Sequence, residues 1–172
     1  LYGEPFEYDG TENIGIKDGF YCFPDCGYTY LKRDGVEFFS ISGQSFSHCH
    51  PDKGSFTIDA DGEPILIDRG MVGYNEACAD IISSSMAHNM TVPVVNGVML
   101  SQHSQHGYGS VMKKSEYRDG KLEWICDNDN VWDKSLVIKN IRTIKSDNPF
   151  EYIITDEFEF TEPTQAAFIL NM

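Results

Sequence analysis

At 172 residues the chain has the length of one domain and can bury a sizeable core. Acidic residues outnumber basic ones by 27 to 13, and the formal net charge of −14 argues against sequence-independent binding to nucleic acid, where Lys and Arg must neutralise phosphates. It also sits awkwardly with a highly sulfated partner, and no apolar run approaches the ~20 residues of a membrane span. The chain begins at Leu1 without Met, and nothing near it resembles a signal peptide. The expectation is therefore a segment of a longer protein.

In chain order the pattern is strand after strand. GFYCFP, YTYLKRDG and VEFFSIS carry aromatic and β-branched residues separated by Asp-Gly or Gly turns. In SFTIDADGEPILIDRG, Phe56, Ile58 and Ala60 alternate with polar residues, Asp61-Gly62 turns the chain, and residues 65–67 return it. Asp-Gly between two such runs predicts a hairpin. A weak helical stretch covers residues 75–85. Strands then follow at NMTVPVVNG, YRDGKLEWICD, SLVIKNIRTI, EYIITDEFEF and AAFILN. Many short strands with turn signals predict an all-β fold, an antiparallel β-sandwich, formed by residues 1–172 as a single domain.

The chain has 5 cysteines, an odd set at irregular spacing. Cys22 and Cys26 bracket a Pro-Asp turn, which fits a disulfide or no bond better than zinc. Asp127-Asn128-Asp129-Asn130 lacks the ligand spacing and closing Glu of a calcium loop and reads as a turn. Trp124 and Trp132 are expected in the core, although aromatic rings of this kind also stack on sugars. His103 and His106 read as part of a surface loop, with one of them able to reach a cleft.

The densest chemistry lies in SFSHCHPDKGSF, where His48, Cys49, His50 and Asp52 stand together. On an extended segment His48 and His50 share one face and Cys49 takes the other. Asp68 ends the returning strand of the hairpin, and antiparallel pairing carries it back toward His50. His88, in MAHNM, opens the next strand. Two histidines and a carboxylate with an open fourth position form a common zinc ligand set. A polar turn that merely contains histidines remains the alternative.

HCHPDKGSFTIDADGEPILIDRG, then Tyr74, then AHNMTVPVVNG, resembles the C-terminal sandwich domain of the heparinase II/III-like polysaccharide lyases, which include heparin/heparan lyases and alginate lyases. The likeness covers residues 48–97, with looser fits on either side. It implies a supersandwich-like domain of a larger enzyme with an N-terminal α/α toroid, acting in the periplasm or outside the cell on an acidic polysaccharide or oligosaccharide. It also implies that His48 faces substrate, that His50, Asp68 and His88 hold zinc, and that Tyr74 is a cleft tyrosine aiding catalysis. A tyrosine at the sandwich edge is the other reading of Tyr74.

Such lyases cut a 4-linked uronide by β-elimination. A base removes the proton α to the C5 carboxylate, and an acid protonates the departing O4. The carboxylate must be neutralised so that the enolate-like state becomes accessible, and a histidine can share the proton transfers. The resemblance places the principal tyrosine and the carboxylate neutraliser on the helical domain, so the isolated chain is expected to be inactive. Many relatives have an Arg shortly before Ala-His-Asn, whereas here SSSMAHN has Met86. With the acidic balance, that favours a less sulfated uronide such as alginate over heparin. The rival function is a non-catalytic carbohydrate-binding or structural sandwich in which a metal only staples loops.

Overall fold

The computed structural model describes residues 16–46, 48–73 and 75–172. The predicted all-β architecture is what forms. The first sheet runs β1 (Gly19–Phe23), β2 (Tyr28–Arg33), β3 (Val36–Ile41), β4 (Phe56–Ala60) and β5 (Glu63–Leu66) in sequence order, every pair antiparallel. Turn chemistry sets several of its registers. Asp34-Gly35 and Asp61-Gly62 both have positive φ at their two central residues, as do Asn96-Gly97 and Asp119-Gly120 in the other sheets. Two left-handed residues make a tight turn whose twist matches the strands it joins, which is why the Asp-Gly pairs were readable as hairpins.

Between β5 and the next strand the predicted helical stretch shrinks to a single turn, α1 (Ala79–Ile82), which buries none of its residues. With no apolar face to bury, little extends it. A 3-10 turn at Ser85–Ala87 leads into β6 (Met90–Val95), which pairs with β7 (Val98–Met99) on one side and β12 (Gln165–Ile169) on the other. The remaining sheet is ordered β11 (Glu151–Phe160), β10 (Val137–Asn148), β9 (Lys121–Asp127) and β8 (Val111–Arg118).

β10 has 12 residues and β11 has 10, so these strands back both of the other sheets. One core joins Leu31, Phe38 and Phe56 of the first sheet to Leu122, Trp124, Cys126 and Ile144. A second joins Met90 and Val92 to Val131, Trp132 and Val137, with Phe158 and Phe160 packed beside them. Both tryptophans are therefore core, as expected, and the Asp127–Asn130 stretch enters a 3-10 turn at Asp129–Val131. Cys126 is fully buried, and burial pushes its thiol up to about 12. All the cysteines lie among the described residues and all are free thiols, so Cys22 and Cys26 form no disulfide. No described helix is long and apolar enough to cross a membrane.

β10 crosses from one core to the other, with Val137 in the second and Ile144 in the first. Between them the buried Arg142 reaches the seam where the first sheet meets the β12–β6–β7 sheet. Its guanidinium donates to Gly54 O and Asn89 O at 2.8 Å each and forks onto Asp156, with Nε to Oδ1 and an Nη to Oδ2 at 2.7 Å each. The histidine-bearing segments end at this seam.

Candidate functional site

Three segments meet here, residues 48–55 before β4, 67–71 after β5, and 85–89 before β6. Side chains tie their backbones together. Ser85 Oγ donates to Pro51 O at 2.7 Å and accepts from the Gln102 N–H. The Gln102 carboxamide takes the Lys53 N–H at 2.9 Å and gives to Lys53 O at 2.8 Å, fixing that residue at both ends. Asn89, fully buried, donates from its side chain to Phe56 O and Ile67 O, accepts from the Asn171 N–H, and donates its own backbone N–H to Ser55 Oγ. A carboxamide that satisfies several buried backbone groups at once leaves the chain one arrangement there.

On this frame His88 Nδ1 lies 2.8 Å from Asp68 Oδ2, and Asp68 Oδ1 accepts the Gly70 N–H at 2.7 Å. The His50 ring stands 5.5 Å from the His88 ring, centroid to centroid. Burial pushes the Asp68 carboxyl up, but His88, the Gly70 N–H and nearby His50 outweigh it and hold the group below its usual range. The three predicted ligands, separated by up to 38 positions in sequence, thus come together.

Among the described residues, no group of three or more His, Cys, Asp or Glu side chains is set as it stands to hold a metal ion. Asp68 and His88 hold each other instead. Ligand atoms of a tetrahedral zinc, with bonds of ~2.0–2.1 Å, sit ~3.3 Å apart, so this pair must part by about half an ångström to admit one. The donor chemistry, two imidazoles and a carboxylate with the His50 and His88 rings 5.5 Å apart, fits zinc, and the His88 nitrogen that would share it with Asp68 is Nδ1. The buried Nε2, on the other side of a ring that is 1% exposed, has no hydrogen bond.

Asp68 and His50 line an open cavity of about 610 Å³, walled also by Asp25, Tyr28, Phe46, His48, Cys49, Asp52 and Lys53. A smaller one of about 250 Å³ adjoins it, sharing His48, Cys49, His50 and Met71. The extended-segment expectation for His48 and His50 fails. His48 has φ +64°, a left-handed turn, and side-chain alternation holds only along extended backbone. Cys49 consequently lines both cavities with the histidines, and its sulfur accepts the Phe46 N–H at 3.2 Å. His48 is exposed at the cavity wall. Tyr74 lies outside the described residues.

His103 stacks on Tyr108 at 4.3 Å, whereas His106 packs against Phe46 at 6.2 Å and so approaches the cavity rim. Lys53, 3% exposed and paired with Asp52 at 2.8 Å, and the anchors Asn89, Gln102 and Arg142 are site residues that the sequence reading missed. Asn89 was within sight, because it completes the Ala-His-Asn triplet. Arg142 carried a weaker signal, a charge at an inward position of a strand.

The chain matches the heparinase II/III-like C-terminal family over residues 17–171 and belongs to it. Among solved structures, a heparinase III gene product superposes with a TM-score of 0.71 at 18% identity, over 92% of this chain and 25% of that one. The heparan sulfate lyase HepC of Pedobacter heparinus gives 0.66 at 14% identity, over 87% of this chain and 23% of that one. A further heparinase III gives 0.64 at 16% identity, over 86% and 23%. At such identities the likeness is one of fold. The chain spans about a quarter of the length of these solved chains. No curated protein matches it significantly.

Proposed function

We propose that this chain is the β-sandwich part of a polysaccharide lyase that cleaves a uronic-acid-containing polysaccharide by β-elimination, bringing a zinc site and an active-site histidine to the cleft. The observation that carries this is the convergence of His50, Asp68 and His88 from three segments, with His50 and Asp68 in the wall of a cavity that His48 also lines. Family membership and the heparinase-like fold support the reaction class.

In this reading His50, Asp68 and His88 hold the zinc, which when bound supplies positive charge at the cavity wall and cross-links three loops. His48 and Tyr74 face the sugar. His48 binds and orients the uronate and shares the movement of its protons, while a helical domain outside this chain brings the principal base and the carboxylate neutraliser. The wall sets carboxylates of Asp25, Asp52 and Asp68 against a lysine that Asp52 already occupies. Such a surface suits a uronide without dense sulfation.

Elemental analysis of protein purified without chelator should find about one zinc per chain, filling one site; a metal-free, fully folded protein would overturn the zinc assignment. In the complete enzyme His48→Ala should abolish most release of unsaturated uronide, followed by its ultraviolet absorbance, while zinc content stays unchanged. Full activity of that variant would leave a metal-stapled structural sandwich in place of a catalytic wall.

A further inference from the structure

The described wall of the 610 Å³ cavity carries a single lysine, Lys53, and no arginine. Lys53 is 3% exposed, and its Nζ donates to Asp52 Oδ1 at 2.8 Å. An ammonium has three donors and a carboxylate two oxygens, yet this is the one side-chain hydrogen bond that either group makes among the described residues. A buried ion is costly unless its bonding capacity is filled. This pair keeps donors and an oxygen in reserve at the edge of an opening. It is also held still. The Gln102 carboxamide clamps the Lys53 backbone at both ends, and Asp52 O accepts the Ser55 N–H at 2.9 Å. A receptor fixed beforehand loses little entropy when it binds.

We infer that the Asp52–Lys53 pair reads two adjacent free hydroxyls of a uronide ring, with Asp52 Oδ2 accepting from one and Lys53 Nζ donating to the oxygen of its neighbour. The inference rests on the reading of this cavity as the uronide site and adds how that site tells one uronide from another. In a 4-linked pyranuronide, O1 and O4 are spent in linkages and C6 is the carboxylate. The free hydroxyls are therefore O2 and O3, on neighbouring carbons. A donor and an acceptor 2.8 Å apart match the spacing of such a pair.

Charge decides against the other occupants. The substrate's own carboxylate, placed on Lys53, would lie beside Asp52 and set like charges together. A sulfate on O2 or O3 removes the proton that Asp52 accepts and brings a negative charge of its own. A hydroxyl has neither fault, and its bonds to the two ions are charge-assisted. Tyr28 and Ile41, in the same wall, offer an apolar surface to the C–H face of the ring, so the few polar groups are left to set its orientation.

The test pairs an intact oligouronide with its analogue in which hydrogen replaces the O2 and O3 hydroxyls. By kcat/KM the complete enzyme should prefer the intact chain roughly ten- to hundred-fold, as for the loss of hydrogen bonds to charged groups. The double variant Asp52→Ala/Lys53→Met removes both charges together and leaves no ion buried alone. In it the preference should fall to within about two-fold, because the cycle between side chain and hydroxyl isolates their contact. A variant that merely deformed the cavity would slow both substrates and keep the preference. Asp52→Asn, which leaves Lys53 an acceptor, should reduce the preference by a smaller factor, about three- to ten-fold. A parent without preference, or a double variant that retains it, would overturn the inference. NMR titration of residues 1–172 with the same two oligosaccharides separates recognition from chemistry. A binding preference in an enzyme that releases no unsaturated uronide would uphold the hydroxyl reading and overturn only the proposed β-elimination. Release of unsaturated uronide without any preference would overturn the hydroxyl reading alone.

Discussion

Two buried polar clusters meet at the seam between the sheets, and Asn89 belongs to both. In the first, Arg142 spends all its donors: Asp156 takes two, Gly54 O and Asn89 O take one each, and Thr91 takes the last. Its guanidinium also lies over the Phe56 and Phe168 rings, at 6.0 and 5.6 Å. In the second, His88 uses one nitrogen on Asp68 and leaves the other unmet, while Asp68 is 39% exposed to the cavity. A cluster with no bonding capacity left holds the fold. One with capacity to spare, beside an opening, is where a ligand can add something.

The sharpest way to break that contrast is to strip the saturated cluster. Asp156→Ala leaves the Arg142 charge buried and should cost ~3–5 kcal/mol. At ~2–4 °C per kcal/mol for a chain of this size, the melting temperature should fall by about 10 °C. Replacing both partners with apolar residues of similar volume should cost far less. If Asp156→Ala melted within a degree of the parent, the Arg142 cluster would not be what holds the seam.

Asn89 tests the link between the clusters. Asn89→Ala orphans Phe56 O, Ile67 O and the Asn171 N–H, and should cost ~2–4 kcal/mol. Because Ile67 neighbours Asp68 and Asn89 neighbours His88, the same change should weaken zinc uptake in protein that remains folded. Normal metal affinity in that variant would make Asn89 a fold residue only.

His50→Ala sharpens the second cluster. In the parent, saturating zinc at ~100 Kd should add about 2.7 kcal/mol, removed by chelator. The variant should melt at one temperature with or without chelator, close to the metal-free parent. A chelator-sensitive His50→Ala protein would place the metal elsewhere.

The smallest effect belongs to the Lys32–Glu37 pair, 2.7 Å apart across β2 and β3. Lys32 and then Tyr30 hold the Glu37 carboxyl below its usual range against a smaller opposing push from burial. Because that pKa is lowered on folding, the stabilisation is fully present above the ordinary Glu value of ~4.3 and disappears as pH falls through the lower folded value. The pair is partly exposed and screened, so Glu37→Gln should cost under ~1 kcal/mol at pH 7 and nothing at the acid end. A difference that persisted unchanged in strong acid would mean a packing effect instead.

Local chemistry determined much of this protein before any folding was seen. Period-2 alternation and the Asp-Gly pairs depend on neighbours a few residues apart, so strands, hairpins and the all-β class were legible in the sequence. His50, Asp68 and His88 were legible as a set because the resemblance spans all three. What the tertiary structure decided was everything that depends on distant partners. It turned the backbone at His48 to a positive φ and so brought Cys49 to the cavity, against the expectation from an extended segment. It reduced the helical stretch to Ala79–Ile82, since no apolar face there had a surface to bury against. It gave Arg142 its role by placing Gly54 and Asn89, 88 and 53 positions away in sequence, within reach of one guanidinium. Alternation assigns a side chain to a face, but only packing supplies what that face meets.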